Sequence, residues 1–279
     1  MSIKTAYKIR FVFTMIFLAV VTILVFYPFL YILSAAVAKG NTMTGLSCIP
    51  FGNGFGFTNF QALFTKTNFP VWFGNTFIIS IVTMLGTLAI CTVSAYIFSR
   101  FQFWGKRSML TVMFVLQIIP SFLAMIAMYY VLYWMGGLNK IWGLILVYIA
   151  GNIPYNVWLV KTYLDAIPKN MDEAAIMDGA SRFCIFTNII LPAIRPIVIF
   201  LAITSFTAPW LDFIFPKLIL RSQSKYTVAL GLYNLYNEQG DFGTFCAGAV
   251  LIVIPFVLFF LATQNMLVES MSTTLDEDL

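Results

Sequence analysis

The sequence predicts an all-α, polytopic membrane protein with six transmembrane helices, and three observations carry that expectation. Aliphatic, aromatic and Cys residues make up 61% of the 279 residues while charged residues make up only 10%, against roughly a quarter in a soluble globular domain. The apolar residues come as long uninterrupted runs instead of period-2 or period-3.6 stripes. Six of these runs reach the length of about 20 residues that a helix needs to span a hydrocarbon core: 11–35, 75–98, 108–131, 142–160, 193–215 and 245–266.

The first run follows Lys4, Lys8 and Arg10, as the apolar core of a signal peptide would. It extends from Phe11 to about Ala36, longer than such a core, and no small-residue cleavage site separates it from polar chain, so it reads as a retained helix. The fourth and fifth runs contain Pro154, Pro196 and Pro209, which a membrane helix tolerates because its neighbours satisfy the freed carbonyls. In the fifth run Arg195 and Asp212 lie 17 positions apart, about 26 Å of helix at 1.5 Å per residue. That nearly matches the hydrocarbon thickness, so each charge can reach an opposite interface.

Orientation follows from the cations, which collect in cytoplasmic loops. With the N-terminus inside, the inner segments hold ten Lys and Arg and the outer segments six of the 16. An even helix count then puts the C-terminal tail inside as well. The expected organisation is a cytoplasmic N-terminus (1–10), a membrane domain (11–267) with one large inner loop (161–192), and a cytoplasmic tail (268–279). The long outer segments, about 37–72 and 217–243, are rich in Gly, Asn, Thr and Tyr.

The chemistry is sparse. No Asp, Glu, Lys, Arg or His occupies the middle of any run, and the chain has no His. An ionisable group held in the bilayer usually carries a proton or a coupling ion. Its absence argues against proton coupling, and less strongly against sodium coupling, which can use carbonyls and hydroxyls. It also removes most membrane enzymes, which need an activated nucleophile or a metal cluster. Cys48, Cys91, Cys184 and Cys246 have no metal or redox spacing. The net charge of +5 comes from cations scattered singly, which argues against nucleic acid. No phosphate-binding loop is present; Gly105-Lys106-Arg107 lacks the upstream glycine and the hydroxyl residue. Uphill transport would therefore draw on a separate ATPase.

The densest polar stretch is the loop KTYLDAIPKNMDEAAIMDGASRFCIFTNIILP, residues 161–192. Pro168 and Asn170 mark a helix start, and Asn170 with Glu173 has the spacing of a capping pair. Gly179 can take a positive φ and end that helix, and a second can begin near Ser181. The loop reads either as a compact docking element or as an amphipathic connector at the interface.

Asp172-Glu173-Ala174-Ala175, Asp178-Gly179-Ala180, Ile189, Leu191-Pro192 and Pro196 resemble the EAA motif of permease subunits of bacterial binding-protein-dependent ABC importers. Asn75-Thr76, Ala95-Tyr96, Ser99-Arg100-Phe101, Gly105, Gln117, Pro120, Ile167-Pro168, FTAPWLDFIFP (206–216) and KYTVALGLYNL (225–235) are similar to the carbohydrate branch, of the maltose and maltodextrin kind. The likeness covers about residues 70–267. The tail ESMSTTLDEDL departs from the glycine-rich end of that branch, which puts any ATPase contact of the tail in doubt.

The resemblance implies a type I ABC importer permease fold in the bacterial plasma (inner) membrane, without catalytic residues or a metal. It implies as partners a second permease, two ATPases binding ATP and Mg on the cytoplasmic face, and an extracytoplasmic solute-binding protein. Asp172, Glu173, Ala174, Ala175, Asp178, Gly179, Ala180, Leu191 and Pro192 would form the ATPase-coupling segment, and an oligosaccharide would be the solute. Tyr129, Tyr130, Tyr133, Trp134 and Trp210 could stack on sugar rings, although aromatics are 17% of the chain and interfacial belts or core contacts explain most of them. Asp212 would bind solute or anchor its helix, with anchoring favoured. The competing classes are a permease for another small solute, an ion-coupled transporter and a membrane enzyme.

Overall fold

A computed structural model describes residues 3–40 and 42–276. Glu277, Asp278 and Leu279 of the expected tail, and the side chains of Lys4 and of residues 268–276, lie outside that description. Every regular element among the described residues is helical.

Among the described residues, four helices are long and apolar enough to cross a membrane: Arg10–Ala36 within α1 (Ile3–Ala36), α3 (Phe69–Arg100), α6 (Ile141–Asp165), and Phe242–Gln264 within α13 (Phe242–Asp276). A fifth qualifies only as a bent pair, Arg182–Ala193 followed by Arg195–Leu211, with 79° between the two pieces. The run 108–131 is not one helix: it divides into α4 (Lys106–Leu116) and α5 (Ser121–Trp134). Pro120 lies at the division with ψ of 125°, outside the helical region. Proline supplies no N–H and disfavours helix in the residue before it, which ends α4 short of this point. Pro28, Pro154, Pro209 and Pro255, by contrast, lie inside continuous helices.

The chain divides into two compact units. The first comprises the residues up to Phe69 with Leu232–Ile254. In it Asn59, on α2 (Thr58–Lys66), points its amide toward the carbonyls of Ala35, Ala38 and Gly40 at 3.1 to 3.2 Å. It thereby serves the acceptors left over where α1 ends. The most apolar stretch of α1 has no buried residue within the described structure.

The second unit, Pro70–Gly231 with the chain from Pro255 onward, holds two cores. One gathers Ile79, Leu132, Leu144, Val147, Ile219 and Leu230. The segments expected as outer loops are partly helical here, with α11 (Ile214–Ile219) and the start of α12 (Val228–Gln239). Polar side chains hold them. Asn139 accepts from the N–H groups of Arg221 and Ser222 at 3.1 Å, while its backbone carbonyl accepts from Lys225 Nζ at 2.8 Å. Asn75 donates to the carbonyls of Ser224 and Tyr226, and Thr76 Oγ1 accepts from the Val228 N–H. Asn75-Thr76 thus anchors the connection ahead of α12. The other core, built on Tyr96, Val157, Val160, Leu164, Ala175, Ile185, Ile190 and Leu201, joins the later halves of α3 and α6 to the loop that follows.

Candidate coupling site

The loop after α6 folds into two short helices, as its residues predict. The first, α7, spans Asn170–Met177 with Asp172 and Glu173 in its first turn, where carboxylates complement the positive end of the helix dipole. The expected Asn170–Glu173 capping pair does not form. Lys169 takes the cap position in a helical conformation, so Asn170 is already inside the helix and its side chain cannot cap it.

The end of α7 is set by glycine. Gly179 has φ of +82°, its N–H donates to the Ile176 carbonyl at 3.0 Å, and the Ala180 N–H donates to the Ala175 carbonyl at 2.9 Å. Paired bonds of this kind across a left-handed residue close a helix as a Schellman motif. One residue on, Ser181 Oγ accepts from the Cys184 N–H at 3.2 Å and starts α8 (Arg182–Ile185). The chain continues through a π turn (Phe186–Ile190) into α9 (Leu191–Ala193) and then bends into α10 (Arg195–Leu211). Pro192 has no N–H to offer the preceding turn and its ring crowds the carbonyl four residues back. The wider turn just before it, with the Leu191 N–H reaching to the Phe186 carbonyl, relieves that crowding.

One face of α7 is buried and the other is bare. Asp172 and Ala175 point inward, and Ala180 is half-buried beside them. Glu173, Ala174, Asp178 and Gly179 are exposed, Leu191 is half-buried and Pro192 exposed. Beside these polar groups stand Met171, Ile176, Met177 and Phe183, with Met177 87% and Phe183 76% exposed. Large apolar side chains presented together on a charged segment mark a surface that a protein or a membrane covers.

The inward face ends on a cluster of charge. Arg100 closes α3, and its Nε donates to Asp172 Oδ2 at 2.8 Å with both side chains nearly inaccessible. Ser99 Oγ donates to Asp165 Oδ1 at 2.7 Å, and Lys161 pairs with the same carboxylate. Lys106 donates to the Phe101 carbonyl at 2.9 Å; burial holds its ammonium below the ordinary lysine value, the neighbouring Lys161 charge adds to this, and Asp165 opposes it. In the sequence Ser99-Arg100-Phe101 stands out only for its likeness to the carbohydrate branch, and Asp165, Met177 and Phe183 do not stand out as site residues. The available signal is a serine and an arginine directly after a long apolar run.

The proposed path residues do not form one surface of a kind. Tyr130 and Tyr133 on α5 are exposed and Tyr129 is half-buried. Trp210 is fully buried, with its ring centroid 5.1 Å from Phe73, 5.9 Å from Phe256 and 6.1 Å from Phe206. In this conformation the indole has no free face and serves as a core contact. Asp212 follows the end of α10, and its side chain holds the start of α11. Its Oδ1 accepts from the N–H groups of Ile214 and Phe215, and Tyr148 donates to its Oδ2 at 2.9 Å. Asp212→Ala should cost about 1–2 kcal/mol through the lost cap and lower the thermal midpoint in detergent, leaving the KM for solute within experimental error. A raised KM at an unchanged midpoint would assign Asp212 to solute instead.

Among the described residues the chain is all-helical, with apolar helices long enough to cross a membrane and a short Schellman-closed helix between α6 and α10, an arrangement that fits a permease subunit of an ABC importer. The chain belongs to the family of binding-protein-dependent transport system inner membrane components, which its residues 90–272 match. It is 38% identical over 276 residues to the galactooligosaccharides transport system permease protein GanQ of Bacillus subtilis, covering 97% of each chain. It is 34% identical to the maltodextrin transport system permease protein MdxG of the same organism, covering 95% of this chain and 96% of that one. The maltose/maltodextrin permease MalG of Salmonella typhimurium is 32% identical with 95% of each chain covered. Among solved structures, a bacterial ABC transporter that imports alginate shares the fold with a TM-score of 0.79 at 18% identity, covering 93% of this chain and 97% of that one.

Proposed function

We propose that this chain is one of two translocation subunits of an ATP-driven oligosaccharide importer in the bacterial inner membrane, with both termini cytoplasmic. The observation that carries the reading is the bare apolar face of α7 and α8, closed by Gly179 and set among Lys106, Lys161, Lys169 and Arg182. Cations gathered at this end fit the cytoplasmic side. An ATPase subunit would seat Met171, Ile176, Met177 and Phe183 in a cleft, with Glu173 and Asp178 at its rim. Closure of two ATPases around Mg-ATP would draw this segment and that of a second permease together. The membrane helices would then reorient between inward- and outward-open states, a shift driven by the different affinities of the two states for nucleotide. A solute-binding protein would deliver sugar at the outer face. The exposed Tyr130 and Tyr133 are the better candidates on this chain to line the route, Trp210 the poorer.

The solute class follows from relatives that carry galactooligosaccharides or maltodextrins. Vesicles holding the chain with its partner permease, ATPase and binding protein should accumulate labelled maltodextrin or galactooligosaccharide only with ATP, and competition between the two sugars assigns the class. Vesicles with this chain alone should concentrate nothing, because it has neither a nucleotide site nor an ionisable group in mid-membrane. Accumulation there would overturn the proposal.

A further inference from the structure

We propose that Arg100 is a positioning residue for transport: it clasps α7 to the end of α3, so that force received by α7 is delivered to a membrane-spanning helix. This rests on the reading of α7 as the ATPase dock. The geometry is specific. Arg100 is the last residue of α3, and its three guanidinium nitrogens face three different groups. Nε meets Asp172 Oδ2 at 2.8 Å on α7, Nη1 donates to the Leu164 carbonyl at 3.2 Å, and Nη2 donates to the Ile167 carbonyl at 3.2 Å. The last two acceptors lie where α6 ends and its carbonyls lose their helical partners. One planar cation therefore ties together the ends of α3 and α6 and the start of α7, a task the five fixed donors of arginine suit and the single ammonium of lysine does not.

The residues around Arg100 point the same way. Ser99 bonds to Asp165 at the end of α6. Arg182, opening α8, lies over the Phe101 ring at 5.4 Å. The Tyr96 ring meets Phe101 edge-on at 5.7 Å and Phe186 at 5.1 Å. Four residues in the last turn and a half of α3 and just beyond it thus engage the segment 164–186.

Stability alone gives a weak reason for the clasp. A buried ion pair gains little over an apolar pair of the same volume, and Asp172 Oδ1 is buried without a hydrogen-bond partner. What the pair adds is direction. An apolar contact can slide under load, whereas a guanidinium held by one carboxylate and two carbonyls must break several bonds to shift.

The test uses the full complex reconstituted in vesicles, with solute moved per ATP hydrolysed as the readout in assembled complexes. In R100Q that ratio should fall about tenfold, the size of a typical coupling interaction. R100K, keeping the charge but unable to hold all three acceptors, should be intermediate. The apolar double variant R100M with D172L should recover assembly and thermal midpoint without recovering the ratio, and it supplies the readout if R100Q fails to assemble. A wild-type ratio in R100Q, or a restored ratio in the double variant, would make the clasp merely structural and overturn the inference. Absence of ATP-dependent uptake by the wild-type complex would instead overturn the importer reading itself, and the clasp with it.

Discussion

Replacing Gly179 with valine should leave the protein in the membrane and abolish uptake. The φ of +82° at Gly179 is open to glycine, while a β-branched residue there incurs at least about 1–2 kcal/mol of strain. Space is not the obstacle, since a Cβ at this position would meet no atom within 4 Å. The valine would relieve its strain by turning to negative φ, and the bonds from Gly179 to Ile176 and from Ala180 to Ala175 would then be lost. The end of α7 would re-aim, carrying Met177 and Asp178 with it. Insertion depends on the apolar runs, which this change does not touch, so membrane abundance should hold. Copurification of the ATPase and labelled-sugar uptake should both collapse. Gly179→Ala, with less strain, should fall between the two; unchanged coupled uptake in the valine variant would remove the docking role from this turn.

Gly143→Val should fail earlier and for a different reason. Gly143 lies in the first turn of α6 against the loop that leaves α5, and a Cβ there would stand 2.4 Å from the Gly137 carbonyl oxygen and 3.1 Å from its carbon. Both obstacles are backbone, so no rotamer change relieves them. Overfilling a close contact costs about 1–3 kcal/mol when side chains can yield, and here the α5–α6 connection itself would have to move. That movement would disturb Asn139, on which the segment 219–225 hangs. Folded protein recovered from the membrane, followed by size-exclusion chromatography, should fall severalfold. Gly151, also on α6 but with nothing within 4 Å of its would-be Cβ, provides the control: Gly151→Ala should be recovered at the wild-type level.

The two glycines show how far the sequence can be read. Gly179 was legible because a helix end is a local event: a polar turn, a glycine and a following serine state where one helix stops and the next starts. Gly143 was not, because what it approaches depends on how α5 turns into α6. Arg100 and Asp172 stand 72 positions apart, so neither could be read as the partner of the other. The Asn170–Glu173 cap was expected from spacing and failed, because the helix starts one residue earlier than the pair requires.

Composition and apolar run length by themselves determined that this is a helical membrane chain, where four of its six apolar runs form continuous helices, and that the middles of those runs carry no Asp, Glu, Lys, Arg or His. Those properties follow from transfer of side chains and backbone into hydrocarbon, which is additive along a segment and blind to its neighbours. Tertiary structure alone decided which prolines interrupt a helix and that Trp210 is enclosed in aromatic rings. It also decided that the α3 end is bolted to α7. Each of these depends on which atoms meet across long stretches of chain, and contact geometry of that kind is not a property of any one segment.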